Sequence, residues 1–144
     1  MTIRPARPDD AHALADLTTQ LGYPTASTEL AERLSPLLET THHSVLVATG
    51  EDDRPVGWIH VTIDVGLEHA PTASVHGLVV DEGHRSDGIG AALLAAGERW
   101  ALERGLDRMV VRSRVARERA HRFYEREGYS LEKTSRVYVK PIHR

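Results

Sequence analysis

The chain predicts a mixed α/β fold, a central and mostly antiparallel sheet flanked by helices, on three observations. Short β-rich runs alternate with stretches of helical apolar period; the turn Gly50-Glu51-Asp52-Asp53-Arg54-Pro55 reverses the chain between two such runs; and a glycine-rich segment joins a strand to a long helix. Ile3 to Arg7 reads as a first strand. Asp9 or Asp10 then caps a helix whose apolar face is Ala13, Leu14, Leu17 and Leu21, and Gly22-Tyr23-Pro24 stops it. Ser27 or Thr28 caps a second helix through Leu30, Leu34, Leu37 and Leu38, which Pro36 should kink or shorten.

Ser44 to Thr49 and Val56 to Val65 form a hairpin around the 50–55 turn, and Ala73 to Val80 is a third long strand. A helix follows from near Gly88 to about Arg104, with Ile89, Leu93, Leu94, Gly97 and Trp100 as its buried stripe and Gly105 as its C-terminal cap. Arg108 to Ser113 supplies a β-rich strand, about Arg117 to Arg126 a last helix ending at Gly128, and Tyr129 to Val139 a terminal strand or hairpin. No repeat, low-complexity tract or linker divides this order, so residues 1–144 are expected to form one domain.

Composition narrows the function. At 144 residues, 40% hydrophobic and 27% charged, the chain can bury a core without staples. It has no cysteine, which removes disulfides, thiolate metal sites and cysteine nucleophiles and fits a reducing compartment, so the cytoplasm is the expected location. No apolar run reaches the roughly 18 to 20 residues of a membrane helix, and Met1-Thr2-Ile3-Arg4-Pro5 lacks a signal core. Neither membrane insertion nor secretion is expected.

The net charge of −3 is unevenly spread: residues 1–70 carry −7 and residues 71–144 carry +4. Such a division can bring an anionic and a cationic ligand together, although a solvated, arginine-rich surface explains it equally well. Nucleic-acid binding is not expected, because one Phe, two Trp and four Tyr do not supply a basic stripe with stacking aromatics.

The most informative segment is Val79-Val80-Asp81-Glu82-Gly83-His84-Arg85-Ser86-Asp87-Gly88-Ile89-Gly90-Ala91-Ala92. Gly88 and Gly90 lack side chains where a helix N-terminus presents free N–H groups, so a phosphate can approach closely and gain from the helix dipole. The expected ligand group is a pyrophosphate; a glycine turn that merely lets strand and helix pack is the alternative. Gly83 and Gly88 have P-loop spacing, but Ile89-Gly90 stand where lysine and a hydroxyl belong. The dinucleotide fingerprint fails as well, because Leu93 occupies its third glycine and the preceding hairpin is no βαβ crossover.

What remains, Arg85-x-x-Gly88-x-Gly90 after a strand ending in Val80, resembles the coenzyme A loop of the GNAT family of N-acetyltransferases. Some thirty residues downstream, Ala120-His121-Arg122-Phe123-Tyr124-Glu125-Arg126-Glu127-Gly128-Tyr129 resembles that family's Ala-x-x-Phe-Tyr-Glu-x-x-Gly-Phe/Tyr segment. On residues alone, Phe123 and Tyr124 read as core aromatics, since Ala120, Phe123, Tyr124 and Glu127 share one helical face.

The resemblance implies the family fold, acetyl-CoA as cosubstrate with no metal, and direct attack of a primary amine on the acetyl thioester. It places the pyrophosphate on Arg85, Ser86, Asp87, Gly88, Ile89, Gly90 and Ala91, and the pantetheine arm along the backbone of Leu78, Val79 and Val80. The Val80 N–H is expected to polarise the thioester oxygen and Tyr124 to assist the departing thiolate, while Phe123 stays in the core. A phenol near pKa 10 cannot readily protonate a thiolate near 8.5, so a hydrogen bond to sulfur is the expected main role of Tyr124. Two positions depart from the family pattern. Arg117 stands where many relatives carry an asparagine beside the pantetheine arm, and Ser74 where some carry a catalytic glutamate, with His76 two residues on.

His76 and His60, on central strands, are therefore the candidate bases for the amine's proton, although a histidine in either place is more often a satisfied structural residue. His42, His43 and His69 read as loop residues, and His84 flanks the phosphate loop. One or two of Arg112, Arg114, Arg117, Arg119 and Arg122 are expected at the cofactor's 3′-phosphate. Asp9, Asp10, Glu29, Glu32, Asp64 and Glu68 lie in the parts that shape the acceptor pocket in this family and favour a cationic amine, on a small molecule or a protein. A sensor that binds acyl-CoA without turnover is the competing function, and a homodimer through the terminal strands fits the resemblance.

Overall fold

The computed structural model describes residues 1–85, 87–113 and 116–143. The chain falls into two compact units, Met1–Arg112 and Ser113–Arg144. The first unit carries one sheet of five strands in spatial order β1 (Thr2–Pro5), β2 (His43–Thr49), β3 (Pro55–Asp64), β4 (Thr72–Val80) and β5 (Met109–Val111). The first four pair antiparallel, and β5 runs parallel to β4. This is the mixed, mostly antiparallel sheet the apolar pattern predicts.

Side-chain alternation gives the sheet two apolar faces. On one, Val47, Trp58 and Val79 pack against Leu14 and Leu17 of α1 (Ala11–Gln20) and Leu34 of α2 (Ser27–Leu38). On the other, Ile59 and Val61 of β3 lie beneath Gly97 of α3 (Ile89–Glu103), where an added Cβ would stand 3.0 Å from the Val61 side chain. The close approach of α3 to the sheet explains why the stripe needs a glycine there.

Several details differ from the expectations. The first strand ends at Pro5. The chain then enters α1 through a short 3₁₀ turn, Pro8–Asp10, and Asp10 is the N-cap residue of α1 without a side-chain capping bond. Its carboxylate is buried, accepts the Arg7 N–H at 2.7 Å and accepts from the two terminal guanidinium nitrogens of Arg4 at 2.8 and 2.9 Å. Burial pushes this carboxyl up, but Arg4 and the Arg7 N–H outweigh it and hold it below the ordinary range. Arg4 also reaches Asp53 in the β2–β3 turn, so one guanidinium ties β1 to that turn.

The N-cap of α2 is Ala26, and Glu29 reaches back to accept its N–H at 3.0 Å. Pro36 lies inside α2, which ends two residues later at Leu38. In α3 the buried set is Ile89, Leu93, Leu94, Ala96, Gly97 and Ala101; Trp100 is half-buried, with the Arg104 guanidinium 4.3 Å above its ring.

The second unit carries α4 (Glu118–Arg126), which has a half-buried face that includes Ala120, Phe123, Tyr124 and Glu127. Phe123 is thus not fully enclosed. The expected terminal strand is absent: residues 129–143 form no regular element, and Leu131, Val137, Tyr138, Val139 and Ile142 are exposed. Strand propensity expresses itself only against a neighbouring strand, and no described residue supplies one to this segment.

Candidate active site

The site is built around the far end of β4. Strand β5 pairs with β4 only over Ala73–Val75, so Gly77–Val80 have no described strand on that side. The register of β4 against β3 runs Val61 to Val75 but His60 to Gly77, which leaves His76 as the extra residue of a β-bulge. The Asp81 N–H donates to Val56 O at 2.8 Å, on the β3 side. By the two-residue alternation of an antiparallel ladder, the Val79 backbone groups face β3 as well. Those of Leu78 and Val80 face the unpaired edge. Val79 also buries its side chain in the α1–α2 core.

The chain then turns through Glu82–His84 and Arg85 into α3. Gly88, the N-cap, has φ +77°, a left-handed conformation that favours glycine, and an added Cβ would meet nothing within 4 Å. The Ala92 N–H closes the first helical bond onto Gly88 O, which leaves the N–H groups of Ile89, Gly90 and Ala91 at the head of a 15-residue helix without intrahelical partners. Arg85 and Asp87 are exposed beside this turn, whereas Ser86 lies outside the described residues, as does Arg114. The features fit a pyrophosphate: open space over a glycine N-cap, three helix-end donors and a guanidinium nearby.

The root of this loop is fastened by a residue that the amino-acid pattern does not reveal. Gln20, the last residue of α1, donates to Asp81 Oδ1 at 2.8 Å and accepts the Glu82 N–H at 3.0 Å. Asp81 Oδ2 accepts the Gly83 N–H at 3.1 Å and bonds His84 Nδ1 at 3.0 Å. The Gln20 bond, then the His84 bond, hold the Asp81 carboxyl below its ordinary range. His84 is therefore engaged with Asp81. Only the Asp81–His84 spacing of three was a local clue to this knot.

On the α1–α2 face of the sheet three imidazoles meet. His43 opens β2 and so is not a loop residue; its Nδ1 stands 2.9 Å from His60 Nε2. The His60 ring stacks on the exposed ring of His76, with centroids 4.8 Å apart and planes inclined by 25°. Burial first, and the neighbouring rings second, push His60 down to about 4 and lower His43. His60 is consequently neutral at physiological pH. His69 remains in the loop after β3, against Ala70 O and Asp64. Among the described residues no cluster of three or more His, Asp or Glu has the geometry to hold a metal ion. Ser74, at the position of the absent glutamate, is buried and its hydroxyl has no hydrogen-bond partner among the described residues.

The acetyltransferase (GNAT) family model matches residues 11–129. The chain belongs to that family. It is 34% identical over 140 residues, 94% of this chain and 89% of the relative, to an aminoglycoside N(6′)-acetyltransferase type 1 of Stenotrophomonas maltophilia. It is 35% identical over 89 residues, 61% of this chain and 56% of the relative, to an aminoalkylphosphonate N-acetyltransferase of Salmonella typhimurium. In fold it is similar to an aminoglycoside 6′-N-acetyltransferase of Acinetobacter haemolyticus, with TM-score 0.86 at 18% identity over 99% of this chain and all of that one. The aminoglycoside acetyltransferase AAC(6′)-Iy, in complex with the bisubstrate analogue CoA-S-monomethyl-acetylneamine, gives TM-score 0.86 at 18% identity over 98% of both chains.

The GNAT activity is acetyl transfer from acetyl-CoA to an amine. In the second unit, Tyr124 packs edge-on against Phe123 and Tyr129, with ring centroids at 5.2 and 5.9 Å. Burial raises its phenol above the ordinary value, partly countered by the charge of Arg117. Arg117 immediately precedes α4 and is half-buried. No helix among the described residues is long and apolar enough to cross a membrane.

Proposed function

We propose that this chain transfers the acetyl group of acetyl-CoA to a primary amine of a small molecule, with an aminocyclitol-type polyamine such as an aminoglycoside as the leading acceptor class. The observation that carries the reading is the unpaired β4 edge, presenting Leu78 and Val80 backbone groups, in continuity with the open N-terminus of α3. The acceptor class rests on the 34% identity to the aminoglycoside relative across most of both chains, and on the acidic surplus of residues 1–70.

In this reading Leu78 and Val80 add the pantetheine arm to the sheet as an extra strand. The amides of Ile89, Gly90 and Ala91, with Gly88, Arg85, Ser86 and Asp87, hold the pyrophosphate. The Val80 N–H, fixed by Asp81 and Gln20, donates to the thioester oxygen as it gains charge. Attack forms the nitrogen–carbon bond and breaks the carbon–sulfur bond. His76, exposed at the bulge, takes the proton from nitrogen, and Tyr124 donates a hydrogen bond to the departing sulfur. Its raised pKa makes full proton transfer costlier and the hydrogen bond the larger contribution. Arg117 takes the place of the asparagine beside the arm. We assign residues 1–144 to one acetyltransferase domain, acting in the cytoplasm without a metal and without nucleic acid. The exposed apolar side chains of 131–142 favour a homodimer.

Thiol release from acetyl-CoA against a panel of aminoglycosides, polyamines, amino acids and lysine peptides, with product masses, tests the proposal. Acetylated aminoglycoside from the wild type, and a kcat about ten- to a thousandfold lower in Tyr124→Phe with acetyl-CoA binding retained, is the expected result. Saturable acetyl-CoA binding with no product from any amine would instead support the acyl-CoA sensor.

A further inference from the structure

Nothing in the mechanism above accounts for His43 and His60, yet they are joined to each other and to His76. The bulge leaves His76 outside the regular ladder and exposed, so its backbone alone does not fix its ring. His60 supplies a flat surface 4.8 Å away, and His43, whose ring centroid is 6.2 Å from that of His76, holds His60 through a 2.9 Å bond.

We propose that His60 is a positioning residue for His76, and His43 for His60, so that the stacked His60 ring, held by His43, aims His76 at the amine. The proposal rests on the acetyl-transfer reading. A ring-to-ring bond between His43 Nδ1 and His60 Nε2 needs one donor and one acceptor, which fails if both rings are doubly protonated. Burial disfavours the charged form of both rings, and the titratable groups acting on them are the three rings and His42. The stacked face thus holds the His76 ring in place while the amine nitrogen bonds to the acetyl carbon and passes its proton to that ring. The proton leaves the ring to water, and the thiolate takes its own from water or Tyr124.

The test is steady-state kinetics with an accepted amine. His60→Leu, which fills the space without a π face, should lower kcat about three- to tenfold with the acetyl-CoA KM within twofold. His60→Phe, which restores the face, should recover most of the loss. In a His76→Gln background, itself lowered about a hundredfold, His60→Leu should cost nothing further. His43→Phe, which breaks the clamp by a separate route, should lower kcat about two- to threefold, and only when His76 is present. Equal losses from His60→Leu with and without His76, or no loss in its presence, would overturn the proposal while leaving acetyl transfer intact. A wild type that acetylates no amine would instead overturn the underlying reading.

Discussion

Because His60 is neutral in the fold and basic when unfolded, mild acid should destabilise the protein through this one ring. Its pKa lies near 4 folded against 6.5 unfolded, so between those values the unfolded chain binds more protons and stability falls as pH falls. Moving from pH 7.5 to pH 5.0 across that gap gives a ceiling of about 2 kcal/mol, at about 1.36 kcal/mol for each tenfold difference in proton affinity between the two states. Part of the ring touches water, so the expected loss is about 1 to 2 kcal/mol. The assay is urea unfolding followed by Trp58 and Trp100 fluorescence at both pH values, for wild type and His60→Phe. Carboxylate titration is common to both proteins, so the wild type should lose about 1 to 2 kcal/mol more than the variant on acidification. Equal losses would mean that His60 is not held neutral by burial, and the argument for a neutral ladder would fail with it.

Other consequences concern the same scaffold. Gly77→Ala would bring a Cβ to 2.7 Å from the Trp58 ring, so Trp58 fluorescence should shift and stability fall by about 1 to 3 kcal/mol in thermal unfolding. Asp10→Asn removes a buried carboxylate from Arg4, which keeps Asp53, and should cost about 2 to 3 kcal/mol near neutral pH. Since the carboxyl is held below its ordinary range, that advantage of the wild type is present above the carboxylate range and shrinks as pH falls through it, as paired urea titrations would show. Gln20→Ala frees the root of the phosphate loop and should raise the acetyl-CoA KM about three- to tenfold with kcat within twofold.

The parts that local chemistry decides were legible in the amino acids. Helix-period apolar residues located α1 and α3, the 50–55 turn located the hairpin, and Gly88 and Gly90 located the helix mouth, because each depends on near neighbours in the chain. The exchange of Trp100 for Ala96 and Ala101 in the α3 stripe was hidden because alanine carries little hydrophobic signal, while an indole can lie half-exposed beneath Arg104. The histidine ladder was hidden for another reason. His43, His60 and His76 meet only through the strand register and the bulge at His76, and a one-residue slip would send a strand's side chains to the opposite face. Gln20 escaped notice likewise, since a glutamine at a helix end has no pattern until the loop 61 residues away lies against it. Val137-Tyr138-Val139 erred in the opposite direction: the residues suit a strand, but no described strand pairs with them.

The measurement that tests the account most directly is a crystal structure of the protein with coenzyme A and an accepted amine. The account predicts pantetheine bonded to the Leu78 and Val80 backbone along the unpaired edge of β4, pyrophosphate on the amides of Ile89, Gly90 and Ala91, and the amine nitrogen within reach of His76. Coenzyme A bound away from that edge, or an amine on the opposite side of the sheet from the three histidines, would contradict it.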